Sequence, residues 1–371
     1  MMDKKKFIDV ADQREAWNYL VEHMFDRRNA ELESMRLAVR ATSVPVPNDI
    51  LQRLVLLNPT DAHDVLREHP GFKLWDRYRS YENSYQLFDH SFVGIRRAIE
   101  KFESDAEDGS IFTRVRTKDL DDIQQSVQKE LFTAANAAAS LVDHSRRLQK
   151  FVGASGYTNQ LVASFGEDGL HEFIIDLRVM LHHLHVVKPG YQWQKRFEED
   201  AKTKFSFTFS RDALVQAAND TDPERLKKLI EYLSSAPEKI DVKLTWDEYR
   251  RRAEKFHAWF SETVKVHSFE NVRDYERCVK ENKNFASRTF WNATLGNWLN
   301  NWKVPPNPYN HLAKYLTPEQ IVEVYALPMG STEQVDKVIE FVDEDEACDQ
   351  HIRQQAYELF RRAIATETAP G

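Results

Sequence analysis

The chain has 371 residues, 42% hydrophobic and 30% charged, enough for two or three domains with cores of their own. A net charge of −8 argues against a broad DNA-binding surface while leaving room for a local basic cleft, and no apolar run approaches the roughly 20 residues of a membrane span. With 11 glycines and 13 prolines, long helices are favoured over a turn-rich β protein, and two distant cysteines, Cys278 and Cys348, spell neither a disulfide framework nor a CxxC metal site.

No secretory leader pattern opens the chain, so the expectation is a reducing, cytoplasmic protein. Residues 1–70 read as short helices carrying Trp17, Leu20, Val21 and Met24, then Leu32, Met35 and Val39, at helical spacing. The prolines of SVPVPN (Ser43–Asn48) break the pattern, and Asn58 offers a cap for the next short helix. From Tyr78 through Tyr81, Tyr85, Phe88, Phe92, Ile95 and Ile99 to Phe102, apolar residues recur at alternating three- and four-residue steps. That spacing predicts one long helix with a narrow buried seam. A second long helix, from about Lys118 to Phe151, carries Ile123, Val127, Leu131, Ala134, Ala138, Leu141 and Leu148 on one face. Two long helices joined by a moderate loop should pack antiparallel as a hairpin.

A third helix begins near Glu167-Asp168 and ends before Pro189-Gly190. The alternating KFSFTF run (Lys204–Phe209) reads as a strand, and Ile240 to Leu244 as its partner in one small β-hairpin. Ser210 can cap the helix after the first run, and Thr245 with Glu248 reads as a capping box for a helix ending near Val266. Composition shifts after Ser268. A tryptophan- and proline-rich stretch follows, then helix starts at Thr317 and Ser331, the latter opening one last long helix through Phe360. The expected organisation is an N-terminal helical region (1–70), a central bundle (71–268) and a C-terminal helical region (269–371). The fold class is mostly α: a helical bundle built on a long antiparallel hairpin, with at most one small β-hairpin.

Chemistry concentrates on the third helix, in EFIIDLRVMLHHLHVVKP (Glu172–Pro189). Arg178, His182 and His185 are spaced i, i+4 and i+7, so they share a stripe, and His183 lies five positions beyond the arginine. Burying such groups is costly unless they are paired or do chemistry. A neutral imidazole can take a proton from a ribose hydroxyl, and a guanidinium can stabilise charge growing on phosphate oxygens. A metal reading of His182 and His185 with His171 or His144 lacks both HExxH and paired ExxH, so hydrogen bonding at a helix end is preferred and no metal is assigned. No GxxxxGK[ST], GxGxxG or GxSxG pattern occurs.

LRVMLHH (Leu177–His183) resembles the Arg-x4-6-His signature of HEPN domains. The preceding hairpin and NAAASLVDHSRRL (Asn136–Leu148) are similar to uncharacterised bacterial members. The resemblance covers about residues 72–268. It implies a metal-independent endoribonuclease of toxin or phage-defence type, without cofactor, acting on RNA as a homodimer with paired motifs. Arg178 would stabilise the phosphate and His183 act as acid and base, with His182, His185, Asn136 and Asp143 in support. The same short pattern recurs at Arg252…His257. The competing expectation is a non-catalytic helical interaction module in which Arg178 and the histidines form a buried polar network. Val179 after the arginine and the acidic charge favour the module; the crowded histidines favour the enzyme.

Overall fold

The computed structural model describes residues 10–107, 109–182, 189–194 and 204–367. Helices α1 (Val10–Ala41), α2 (Asn48–Val55), α3 (Pro59–Leu66), α4 (Phe72–Ala106), α5 (Thr117–Val152), α6 (Tyr157–Phe165) and α7 (Leu170–His182) come first. Strands β1 (Gly190–Gln194) and β2 (Lys204–Ser210), helices α8 (Arg211–Thr221) and α9 (Lys227–Ser235), and strand β3 (Lys239–Asp241) follow. Helices α10 (Val242–Asn301), α11 (Pro318–Tyr325), α12 (Thr332–Val342) and α13 (Gln350–Glu367) complete the chain. The protein is mostly α-helical, as its periodicity predicts.

The chain divides into two compact units, Leu74–Phe269 and the residues up to Lys73 together with those from Glu270 onward. The two terminal regions, separate in the sequence reading, therefore fold as one.

In the central unit, α4 and α5 form the expected antiparallel pair. The Arg77 guanidinium lies 5.5 Å from the centroid of the Phe151 ring at one end, and the Glu130 carboxylate closes on Gly94 midway. The seam residues Tyr81, Phe88, Phe92, Ile95, Ile99 and Phe102 are all buried. The first half of α10 runs antiparallel to α4 along a second side. Lys243 bonds Glu103 (2.9 Å), Arg250 bonds Asp89 (2.9 Å) and Ser261 bonds Glu82 (2.8 Å). A three-stranded antiparallel sheet, ordered β1-β2-β3, caps one end, with Phe207 4.7 Å from Phe102 between ring centroids. The expected pairing of β2 with β3 is present, but it is no hairpin, since α8 and α9 lie between the two strands, and β3 stops at Asp241 because Val242–Leu244 open α10; β1 is an addition. Ser206 and Thr208 are buried along with Phe207 and Phe209, so both faces of β2 are covered.

Four expectations need correction. Residues 10–41 form one helix instead of short ones. Thr245 and Glu248 do not cap a helix: Asp241 does, its Oδ1 accepting from the Leu244 amide at 3.0 Å, while Thr245 donates back to the Asp241 carbonyl at 2.6 Å. That helix, α10, continues to Asn301 instead of ending near Val266, since neither Gly nor Pro interrupts it before Gly296. The last long helix is in fact two. Asp343 accepts the Ala347 and Cys348 amides at 2.8 and 2.9 Å, diverting backbone donors from helical pairing and ending α12.

In the other unit, α1 is tied to α3 by the Arg28–Asp61 ion pair (2.6 Å), and the second half of α10 anchors the chain around α2. Asn282 donates to the Leu54 and Leu57 carbonyls, each at 2.9 Å. The caps predicted at Asn58, Ser210, Thr317 and Ser331 are all present, that at Thr317 as a full capping box.

Candidate active site on the motif helix

Helix α7 exists because a turn is pinned before it. Gly166 and Gly169 adopt positive φ (75° and 83°), and Asp168 accepts the Leu170 amide at 3.3 Å. Its apolar stripe, Phe173, Ile174, Leu177, Met180 and Leu181, is fully buried. This face lies on α5, where Ala134, Ala135, Ala137, Ala138 and Ala139 let the two backbones approach, and Phe173 also meets Tyr232 of α9 at 5.0 Å. Gln124 of α5 bonds the Pro189 carbonyl at 3.4 Å, which ties the approach to β1 to α5.

Arg178 is left half-buried beside Asp176. Burial raises the Asp176 carboxyl above its ordinary value, while Arg225 opposes that rise more strongly than Arg178 does. No hydrogen bond or ion pair joins Arg178 to another described residue. His182 is the last residue of α7; its side chain, like His183 and His185, lies outside what is described. Asn136 is half-buried on α5 and donates to its own helix at the Phe132 carbonyl (2.7 Å), and Asp143 is exposed. Neither bonds Arg178, so the supporting residues Asn136 and Asp143 are not gathered around the arginine through hydrogen bonds.

His171, raised as a metal donor, is committed elsewhere. Its Nδ1 lies 3.3 Å from the Tyr249 hydroxyl and its ring 4.6 Å from Phe165, and burial pushes its pKa down to about 4. It is a neutral core histidine.

The recurring pattern at Arg252…His257 is structural. Arg252 makes a bidentate pair with Asp168 (2.7 Å to each oxygen), a bond to Glu248 (2.7 Å) and a short bond to the Phe165 carbonyl. Its donors thereby staple α10 to the turn before α7, and the Asp168 bond raises its pKa. His257 turns instead toward α4, with Nδ1 3.1 Å from the Tyr81 hydroxyl. Five positions apart on one helix, the two side chains serve different neighbours.

A cluster that the sequence conceals joins His69, Asp274 and Cys278, whose donor atoms lie within 4.8 Å of one another, all buried. These residues fit a hydrogen-bonded core better than a metal. His69 Nδ1 accepts the Gly71 amide (3.0 Å), which leaves the ring proton on Nε2, 3.2 Å from Asp274. Asp274 also accepts from the Val46 amide (2.7 Å) and twice from Arg277 (2.9 and 2.7 Å). Burial pushes the Cys278 thiol up to about 11, so it carries a proton at neutral pH. A separation of 205 residues between His69 and Asp274 hides this group from any local motif.

Among the described residues no helix is long and apolar enough to cross a membrane. Comparison of the chain with protein-family models, with curated proteins and with solved structures finds no match.

Proposed function

We propose that this is a HEPN-like helical protein acting as a metal-independent endoribonuclease, with Arg178 and His183 as its reacting pair. The observation that supports this is the contrast between two arginines. Arg252 spends its donors on protein acceptors, whereas Arg178 stands half-buried on α7 with no bond to a described residue, a guanidinium suited to a phosphate. In this reading His183 removes the proton of a ribose 2′-hydroxyl, that oxygen attacks the adjacent phosphorus, and the 5′-oxygen leaves. Arg178 offsets the charge on the phosphate oxygens, and a 2′,3′-cyclic phosphate remains. Two chains would pair their motifs in an isologous dimer. The unpaired cysteines suit a reducing cytoplasm.

The test is cleavage of RNA in EDTA. Activity should survive chelation, leave cyclic phosphate ends, and fall about 10²–10⁴-fold in Arg178→Ala and in His183→Ala. RNA left intact by the full chain overturns the proposal. In that event, an Arg178→Ala variant that also melts early would favour the interaction module.

A further inference from the structure

A cavity of about 370 Å³ lies among residues 291–360, in the range of small-molecule sites and apart from the motif helix in sequence. Two buried clusters border it, with Cys348 packed against both. One joins Leu295 of α10 to Ile352 and Leu359 of α13. The other joins Val335, Val338 and Ile339 of α12 to Ala356 and Phe360 of α13. The α13 residues facing it are Ile352, Ala356, Leu359 and Phe360, of which Ala356 is the smallest side chain in the whole lining. Trp298 and Pro308 supply flat walls, and Tyr315 and Val342 belong to the exposed part of the lining.

We infer that this cavity binds a small, uncharged, largely apolar molecule carrying a flat ring. Tryptophan and proline faces match a planar ring and offer little to a flexible polar chain. The buried part of the lining also withholds a counter-charge, since His311, the one lining residue that can carry a positive charge, is exposed. The one carboxylate of the lining, Asp343, has its two oxygens engaged by the Ala347 and Cys348 amides (2.8 and 2.9 Å). Burial keeps the Cys348 thiol protonated, its pKa pushed up to about 11.

The test uses the full chain and the neutral fluorophore N-phenyl-1-naphthylamine. Saturable binding of one probe per chain is expected. Ala356→Leu, which projects a larger side chain into the cavity, should weaken it at least tenfold without lowering the melting temperature. Val342→Trp enlarges the exposed part of the lining without entering the core and should weaken binding in the same way, which guards against a misfolded Ala356→Leu. The sulfonated analogue 1-anilinonaphthalene-8-sulfonate should bind at least tenfold more weakly than the neutral probe. Absence of saturable binding, or equal binding by wild type and a folded variant, overturns the site. Equal affinity for the sulfonated probe overturns its assignment to uncharged ligands.

Discussion

Tyr85 and His257 lie ring on ring, their centroids 3.5 Å apart and their planes within 5°. The imidazole is thus held between α4 and α10, with the Tyr81 hydroxyl on Nδ1 and Ser261 3.4 Å from the same nitrogen. Burial lowers its pKa, opposed in part by Glu82, so the ring is neutral near pH 7. His257→Ala should cost about 2 kcal/mol, the range for stranding buried polar partners. Denaturant unfolding checks this. RNA cleavage by that variant, measured where it is fully folded, should match wild type; a selective loss would return Arg252…His257 to candidacy.

Gly71 touches backbone where no side chain fits. A Cβ there would sit 2.0 Å from the Asn271 carbonyl oxygen and 2.5 Å from its carbon, inside α10. A backbone carbonyl cannot rotate away as a side chain can, and the Gly71 amide also holds His69 Nδ1. Gly71→Ala should therefore cost about 3 kcal/mol, the upper part of the range for overpacking. A urea midpoint close to that of wild type would show that α10 yields at this point.

The hairpin was legible because its signal is local: every seam residue from Tyr81 to Phe102 lies three or four positions from the next, and each cap is read within four residues. The length of α10 was not, because the change in composition near Ser268 resembles a boundary although nothing there breaks a helix. The split between α12 and α13 depends on which backbone amides Asp343 captures, a choice made by folding. At the motif helix, spacing identified Arg178 and its buried neighbours. That Arg252 would pair with Asp168, 84 residues away, is tertiary information that no short pattern carries.

Acid should unfold the protein earlier than carboxylate protonation alone would. His171 has its pKa depressed to about 4 from the ordinary 6.5, burial being the main cause. Its folded form is neutral, so the unfolded chain takes up a proton that the folded chain refuses. The stabilisation is complete above pH 6.5 and is lost as pH falls from 6.5 towards about 4, by about 2–3 kcal/mol at the foot of that window. His69 and His257, also lowered chiefly by burial, act in the same direction. Melting temperatures taken from pH 7.5 to 4 should bend downward below 6.5, and His171→Gln should flatten the bend. An unchanged slope in that variant would mean His171 is hydrated in solution.

Neighbouring positions on α7 should behave in opposite ways. Leu177 is sealed on the face that packs against α5, with Phe173, Ile174 and Leu181 around the same stripe. Leu177→Ala removes buried methyl groups and leaves a cavity, so it should cost about 2–5 kcal/mol. Arg178, one residue on, is half-buried and bonds no described residue, so Arg178→Ala should shift stability by no more than about 0.5 kcal/mol. Paired urea titrations of the two variants test the orientation of the helix independently of any activity. If Arg178→Ala instead costs as much as Leu177→Ala, the guanidinium is part of a buried polar network, and the catalytic reading of α7 loses its support. If Leu177→Ala alone destabilises, α7 presents its arginine outward on a rigid face. A later loss of RNA cleavage in Arg178→Ala then reports chemistry, since folding has been measured separately.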